Sequence, residues 1–293
     1  MRANARRRGA RSAVVAAGAA LLVLLAGCSV ATPPAPPVSP VSPAAAVPRV
    51  PPGPPAPRTV VSLTFDDGSR PQYLVRPILS DHGMQATFYI ISGFVDHPDG
   101  STMTWDQIHG LASDGNDIGG HTRDHLVLPT LPAAQQRSEV CDDRNRLVAE
   151  GFNPVSFAYP TGVFDPSSEQ AVKDCGYRTG RSAGDVSVTG PEYAERIPPV
   201  DPYATDALAT PTTGPLTLEY MQAAVRAAAA HGGGWVQIVF HLVCQPSDPD
   251  YQTCMNSEGP VEVGVFSSFV DWLANDAPAG TVVAPVSAAT AAD

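Results

Sequence analysis

The feature that most constrains this chain is a unit that recurs along it. An apolar segment at helical period closes on Gly, and a short β-rich run follows at once. "YLVRPILSDHG" leads to "ATFYIIS", "WDQIHGLASDG" to "DIGGH", "RSEVCDDRNRLVAEG" to "VSFAYP", and "EQAVKDCG" to "YRTGRS". "EYMQAAVRAAAAHGG" then leads to "WVQIVFH", and "FSSFVDWLANDAPAG" to "TVVAPV". Gly just past a helix is the expected left-handed cap. Helices alternating with strands predict a parallel sheet with helices outside it. With about seven strands over roughly 230 residues, a closed or nearly closed β/α barrel is favoured over an open sheet, although periodicity by itself is compatible with both.

A barrel makes a demand on the polar residues, because catalytic groups cluster beyond the C-terminal ends of its strands. Asp66 and Asp67 end the first strand in "SLTFDDGSR", His121 ends "DIGGH", and Pro160 to Gly162 end "VSFAYP". Arg181 ends "YRTGR" and His241 ends "WVQIVFH". Asp-Gly is a common turn dipeptide, but Asp is a poor strand former and two adjacent carboxylates repel. A turn therefore does not by itself account for both acids.

Upstream of the barrel lie two segments of different character. Arg2, Arg6, Arg7, Arg8 and Arg11 precede the apolar run "AVVAAGAALLVLLAG", which reads as an export signal too short for a confident span. It ends in Leu25-Ala26-Gly27-Cys28, a tetrapeptide resembling the bacterial lipobox, so residues 1–28 are expected to be a lipoprotein signal peptide with lipid on Cys28. Residues 29–57 are a Pro/Ala/Ser tether that favours extended conformations and cannot bury a core. Residues 58–290 have the length of one large domain. The expected location is the outer face of the cell membrane, with the lipid as the only membrane contact.

The formal net charge is -11, and Lys173 is the single lysine. Nothing resembles a basic nucleic-acid footprint. Apart from Cys28, the cysteines are Cys141, Cys175, Cys244 and Cys254, an even number that reads as two disulfides in an exported chain, with three possible connectivities. Cys244 and Cys254 flank the polar loop "QPSDPDYQT", and Cys141 and Cys175 sit on consecutive helices that a barrel makes neighbours. The expected pairs are therefore Cys141–Cys175 and Cys244–Cys254.

"HTRDH" sets His121 and His125 four apart, a spacing that on a helical turn puts both imidazoles on one face within reach of one cation. Two His and one carboxylate leave open positions on a metal for water and substrate. Asp67 can complete such a triad while Asp66 stays free as a general base.

The ordered motifs "TFDDG", "HTRDH", "FAYPTG" and "IVFH" resemble those of the polysaccharide deacetylases, carbohydrate esterase family four, the NodB-homology domain. The resemblance covers roughly residues 60 to 285. It implies a distorted (β/α)7-8 barrel and a divalent metal, with zinc the expected ion. It also implies removal of acetyl groups from N-acetylglucosamine polymers such as chitin or peptidoglycan. By the same resemblance Asp66 matches the base, Asp67, His121 and His125 the metal ligands, and His241 the general acid. A backbone N–H near Thr161 is expected to assist the developing oxyanion. Val239 is expected at the acetyl methyl pocket, and Tyr159 at either substrate or barrel packing. A glycan substrate and a monomer complete the expectation.

The chain departs from the family pattern in three places. Ala158 stands where many relatives carry Arg two residues before the third-motif Pro. Asp185 is followed by Val186 rather than Trp, and Leu242 follows His241 where Asp is frequent. Arg181 is the candidate for the missing guanidinium, and a surface pairing with Asp185 is its bland counterpart. Two other functions stay open at this level: an acetyl-xylan-type O-deacetylase using identical residues, and a non-catalytic surface glycan-binding protein.

Overall fold

The computed structural model describes residues 58–211, 214–257 and 259–290, all within one compact unit. The expectations for the signal peptide, Cys28 and the tether lie outside the described residues.

Seven parallel strands follow one another around a curled sheet in chain order. They are β1 (Thr59–Phe65), β2 (Thr87–Ile90), β3 (Asp117–Gly120), β4 (Ser156–Ala158), β5 (Thr179–Val186), β6 (Thr205–Leu208) and β7 (Gly234–Phe240). The ring returns on itself because β7 pairs with β1 over its whole length, from Thr59↔Gly234 to Phe65↔Phe240. Two strands share the other edge of β1. Its upper end pairs with β2 at Thr64↔Thr87, and its lower end pairs with β10 (Thr281–Val283) at Thr59↔Thr281. The fold is the expected distorted parallel β/α barrel.

The seam lies between β6 and β7, and side chains close it. Gln237 Nε2 donates to Thr205 Oγ1 at 3.1 Å and to the Asp206 carbonyl at 2.8 Å. Glu195 pairs antiparallel with Trp235, and its carboxylate accepts from the Asp206 N–H at 3.2 Å. A buried amide nitrogen donating twice in this way replaces a stretch of backbone ladder.

Strand alternation sorts the residues of "TVVSLTFDD". Val61, Leu63 and Phe65 join Val236, Ile238, Phe240, Phe266 and Phe269 in the main apolar cluster under the helices. Ser62 and Thr64 face the other way and bond to neighbouring backbone, Ser62 Oγ donating to the Ala284 carbonyl at 2.7 Å and Thr64 Oγ1 to the Ile238 carbonyl of β7 at 3.0 Å. Phe65 is the anchor of the strand end, with ring centroids 4.7 Å from Phe88 and 5.0 Å from Phe240. Burying such a ring is worth about 1.5–3 kcal/mol. It fixes the residue immediately before the two carboxylates.

The outer layer comprises α1 (Val75–Asp81), α2 (Trp105–Ser113), α3 (Ala133–Ala149), α4 (Pro166–Cys175), α5 (Leu218–Ala230) and α7 (Val263–Asn275), with short α6 (Tyr251–Met255) and α8 (Val286–Ala289). The α4 helix shows why these segments are helical. Asp165 caps its start by accepting from the Ser168 N–H at 2.8 Å, Pro166 opens it, and Gly176 ends it at φ 94°, a conformation that other residues adopt at a cost. The Cys141 and Cys175 sulfurs are bonded and link α3 to α4. Beyond β7 the chain forms a small parallel pair, β8 (Leu242–Cys244) and β9 (Pro260–Glu262), and a Cys244–Cys254 bridge ties β8 to α6.

Candidate active site

The two adjacent acids part company at a backbone turn. The Asp66 N–H still donates to the Phe240 carbonyl at 2.9 Å, so Asp66 keeps the strand alternation and points into the barrel, where it is buried. Asp67 then turns left-handed at φ 75° and Gly68 follows at φ 68°. Asp tolerates that region better than most residues, and the turn swings its carboxylate onto the rim.

His121 and His125 meet Asp67 there. Asp67 Oδ1 lies 3.4 Å from His121 Nε2 and 3.4 Å from His125 Nε2, and the three ligand atoms lie within 4.8 Å of one another. The expectation of a helical turn at "HTRDH" is corrected: the segment is a loop with Thr122 at φ 65° and His125 at φ 55°, closed by the His125 N–H on Thr122 Oγ1 at 2.9 Å. A helix would stack imidazoles four apart along its axis, whereas these two left-handed residues fold the rings to an edge contact at 4.8 Å.

The residues fit a divalent cation. His121 Nδ1 faces the Ala158 carbonyl at 2.7 Å, which assigns the N–H to that nitrogen and leaves the Nε2 lone pair for a ligand. Asp67 Oδ1 is buried and has no hydrogen-bond partner. Burial pushes the Asp67 carboxyl up, but His121, His241 and His125 outweigh it and bring it to about 2. Burial pushes His121 down while the neighbouring carboxylates outweigh that and raise it, and burial together with His121 lowers His125. Asp67 is thus ionised, as a metal ligand must be.

Asp66 is held by Arg181, whose Nη2 donates to Asp66 Oδ2 in a buried ion pair. Arg181 Nη1 donates to the Ser182 carbonyl at 2.9 Å, and the guanidinium lies 5.3 Å above the Tyr89 ring. Asp185, the alternative partner considered for Arg181, is exposed. Close packing beneath the site explains the "GG" of β3. A Cβ on Gly119 would lie 2.6 Å from Tyr89 Cδ1, and one on Gly120 would collide with the Tyr177 hydroxyl.

His241 follows β7 on the same cavity wall. Its carbonyl accepts from Ser69 Oγ at 2.7 Å and from Gln72 Nε2 at 2.8 Å. Gln72 Nε2 also donates to the Asp66 carbonyl, so one fully buried amide ties the ends of β1 and β7 together. Gln72 and Ser69 went unnoticed in the sequence, where a single Gln beside a Pro carries no periodic signal.

The cavity, of about 570 Å³, unites Asp66, Asp67, His121, His125, Thr161, Arg181, Val239 and His241. Its size is that of an ordinary small-molecule pocket. Ala209 and Thr210, just after β6, also line it and were missed with that strand. Tyr159 is not part of it. Its ring stacks on Phe164 at 4.7 Å and its hydroxyl donates to the Tyr203 carbonyl at 2.9 Å, within a separate apolar cluster.

A parallel β/α barrel with an Asp-His-His cluster and a buried acid–arginine pair at the C-terminal ends of its strands is built as a metal-site enzyme is built. Residues 53–180 match the family model described as polysaccharide deacetylase. The chain is 33% identical over 123 residues to YxkH of Bacillus subtilis (strain 168), whose name carries the provisional label of polysaccharide deacetylase; 41% of this chain and 43% of that protein are covered. It is 29% identical over 118 residues to the uncharacterized protein SCO4760 of Streptomyces coelicolor, covering 40% of this chain and 45% of that one. The Xyl-CE4 domain of a multidomain xylanase from the hindgut metagenome of Trinervitermes trinervoides shares the fold at TM-score 0.50, with 18% identity over 79% of this chain and 89% of that domain. Over residues 53–180 the chain is similar to the polysaccharide deacetylase family. The chain spans less than half the length of the curated relatives it matches.

Proposed function

We propose that the chain hydrolyses acetyl groups from an N-acetylated glycan of the cell envelope, a peptidoglycan or chitin-like polymer, with a divalent metal, zinc first, as cofactor. The observation that carries this reading is the buried Asp66–Arg181 pair opening onto the same cavity as Asp67, His121, His125 and His241. Asp67, His121 and His125 would hold the ion, which supplies a Lewis acid for the acetyl oxygen and a water of lowered pKa.

The remaining roles belong to the chain itself. Asp66 accepts the proton of the attacking water, and Arg181 keeps its carboxylate in one plane instead of letting it swing toward Asp67. The Thr161 N–H stabilises negative charge on the acetyl oxygen, and Val239 receives the methyl group. His241 delivers a proton to the departing nitrogen as the C–N bond breaks. Water and amide become acetate and amine, so atoms balance.

The lipid on Cys28 and the tether 29–57 would hold a monomer at the outer membrane face, near such a polymer. Acetate release from N-acetylglucosamine oligomers, peptidoglycan fragments and acetylated xylan, each with and without added zinc, tests the reading. Release from the amino sugars is expected. Release from xylan alone would replace it with the O-deacetylase.

A further inference from the structure

A second cleft opens beside the catalytic cavity, and nothing in the proposed chemistry uses it. It has a volume of about 810 Å³, and Leu242, the residue after His241, lines both hollows. One wall is the turn Arg70–Leu74 with Arg70 and Tyr73, backed by Ser101, whose carbonyl accepts from the Arg70 N–H at 2.9 Å. The other wall is the chain from Gln245 to Tyr251. Both walls are stiff. The Cys244–Cys254 bridge closes the second, and the Tyr251 hydroxyl donates to Glu262 on β9 at 2.5 Å. The first carries Gln72, which grips the backbone of Asp66 and His241.

The lining interleaves two tyrosines, Tyr73 and Tyr251, with hydrogen-bonding groups. Arg70 and Gln107 come from one side, and Gln245 and Asp248 from the other. Among the described residues no carboxylate lies within ion-pair distance of the Arg70 guanidinium. Aromatic faces take the C–H faces of a pyranose ring, while planar amides, a carboxylate and a guanidinium take its hydroxyls. A cleft with Asp248 and Asp250 against one arginine disfavours an anionic chain.

We infer that this second cleft binds neutral sugar units flanking the one whose acetyl group enters the catalytic cavity, so that the substrate is an oligosaccharide running over Leu242. The inference rests on the proposed deacetylase reading and adds where the polymer lies and which residues read its length.

The test compares the parent with Arg70→Ala and Arg70→Ala/Gln245→Ala on three readouts. They are calorimetric binding of an N-acetylglucosamine pentamer, kcat/KM for that pentamer, and kcat/KM for 4-nitrophenyl acetate, which is too small to reach the cleft. A fall of about 10-fold in pentamer binding and kcat/KM is expected, with nitrophenyl acetate hydrolysis unchanged. Unchanged pentamer binding in the double variant would overturn the inference, as would a parent protein that binds monomer and pentamer equally. A parent that binds pentamer through Arg70 yet hydrolyses neither substrate would sink the deacetylase reading and leave the cleft standing.

Discussion

Ala158 and Arg181 are register partners across β4 and β5, and the guanidinium from the second strand supplies at that level what the methyl group of the first cannot. The Tyr159 N–H on the Arg181 carbonyl at 3.0 Å locks the register, so the arginine projects into the barrel and meets Asp66. A carboxylate buried this deeply is tolerated only when paired.

The pair makes two separable demands on variants. Arg181→Leu should lower kcat on the order of 10²-fold by freeing the base from its plane. It should also cost about 3–5 kcal/mol of stability, because Asp66 is left buried and unpaired. Asp66→Asn/Arg181→Leu should recover most of that stability and none of the activity. Arg178, exposed ahead of β5 at the opposite end of the barrel, is the control, and Arg178→Leu should leave kcat unchanged. Urea denaturation alongside acetate release reads both effects.

Gln72→Leu removes the donor shared by the Asp66 and His241 carbonyls. The His241 carbonyl then keeps Ser69 while the Asp66 carbonyl loses this donor, at a cost of about 1–3 kcal/mol. Because the amide spaces the end of β1 from the end of β7, the proposed roles of Asp66 and His241 predict that kcat falls while KM for the pentamer holds. Steady-state kinetics that show only a raised KM would assign Gln72 to substrate binding instead.

Much of the barrel could be read from the chain because its helices end on Gly and its strands are apolar on one face. The β6 strand escaped because the eighteen-residue connection Ser187–Ala204 before it holds no helix, and "TDAL" offers little apolar contrast. Asp67 and the two histidines could be recognised by residue type, but their meeting depends on left-handed residues at 67, 122 and 125 that spacing does not reveal. Tyr159 shares the parity of Phe157, which faces α4, and packs in the same cluster, a choice the sequence left open.

The disulfides should differ in what they protect. Cys141–Cys175 closes 34 residues and should contribute about 3–4 kcal/mol, against about 2–3 for the 10 residues of Cys244–Cys254, on the chain-entropy scale. Paired Cys→Ser variants should therefore show the larger drop in thermal midpoint for the first bridge. Loss of pentamer kcat/KM with nitrophenyl acetate hydrolysis intact should belong to the second, which shapes the cleft wall.

Asp143 on α3 gives a pH signature. It accepts from the Ser92 N–H at 3.2 Å and the Tyr177 hydroxyl at 3.1 Å, yet burial pushes it up to about 7. Its folded pKa lies above the unfolded one, so between about pH 4 and 7 the native state binds the extra proton. That contribution to stability is complete below pH 4 and is lost as pH rises toward 7, with a slope of up to about 1.4 kcal/mol per pH unit. Denaturation midpoints from pH 4.5 to 8 should fall more steeply for the parent than for Asp143→Asn. Parallel curves would show that Asp143 is ionised throughout.

The central claim is that Asp67, His121 and His125 hold a catalytic metal while Asp66 does the proton work beside it. The most direct measurement is metal content and acetate release, on the pentamer, for the parent, Asp67→Ala and Asp66→Asn, each chelated and then given zinc. The parent should lose acetate release on chelation and regain it with zinc, and Asp67→Ala should bind no stoichiometric metal and release no acetate. Asp66→Asn should keep the metal and lose about 10²–10⁴-fold in rate. Acetate release at the parent rate from the chelated protein or from Asp67→Ala would contradict the account.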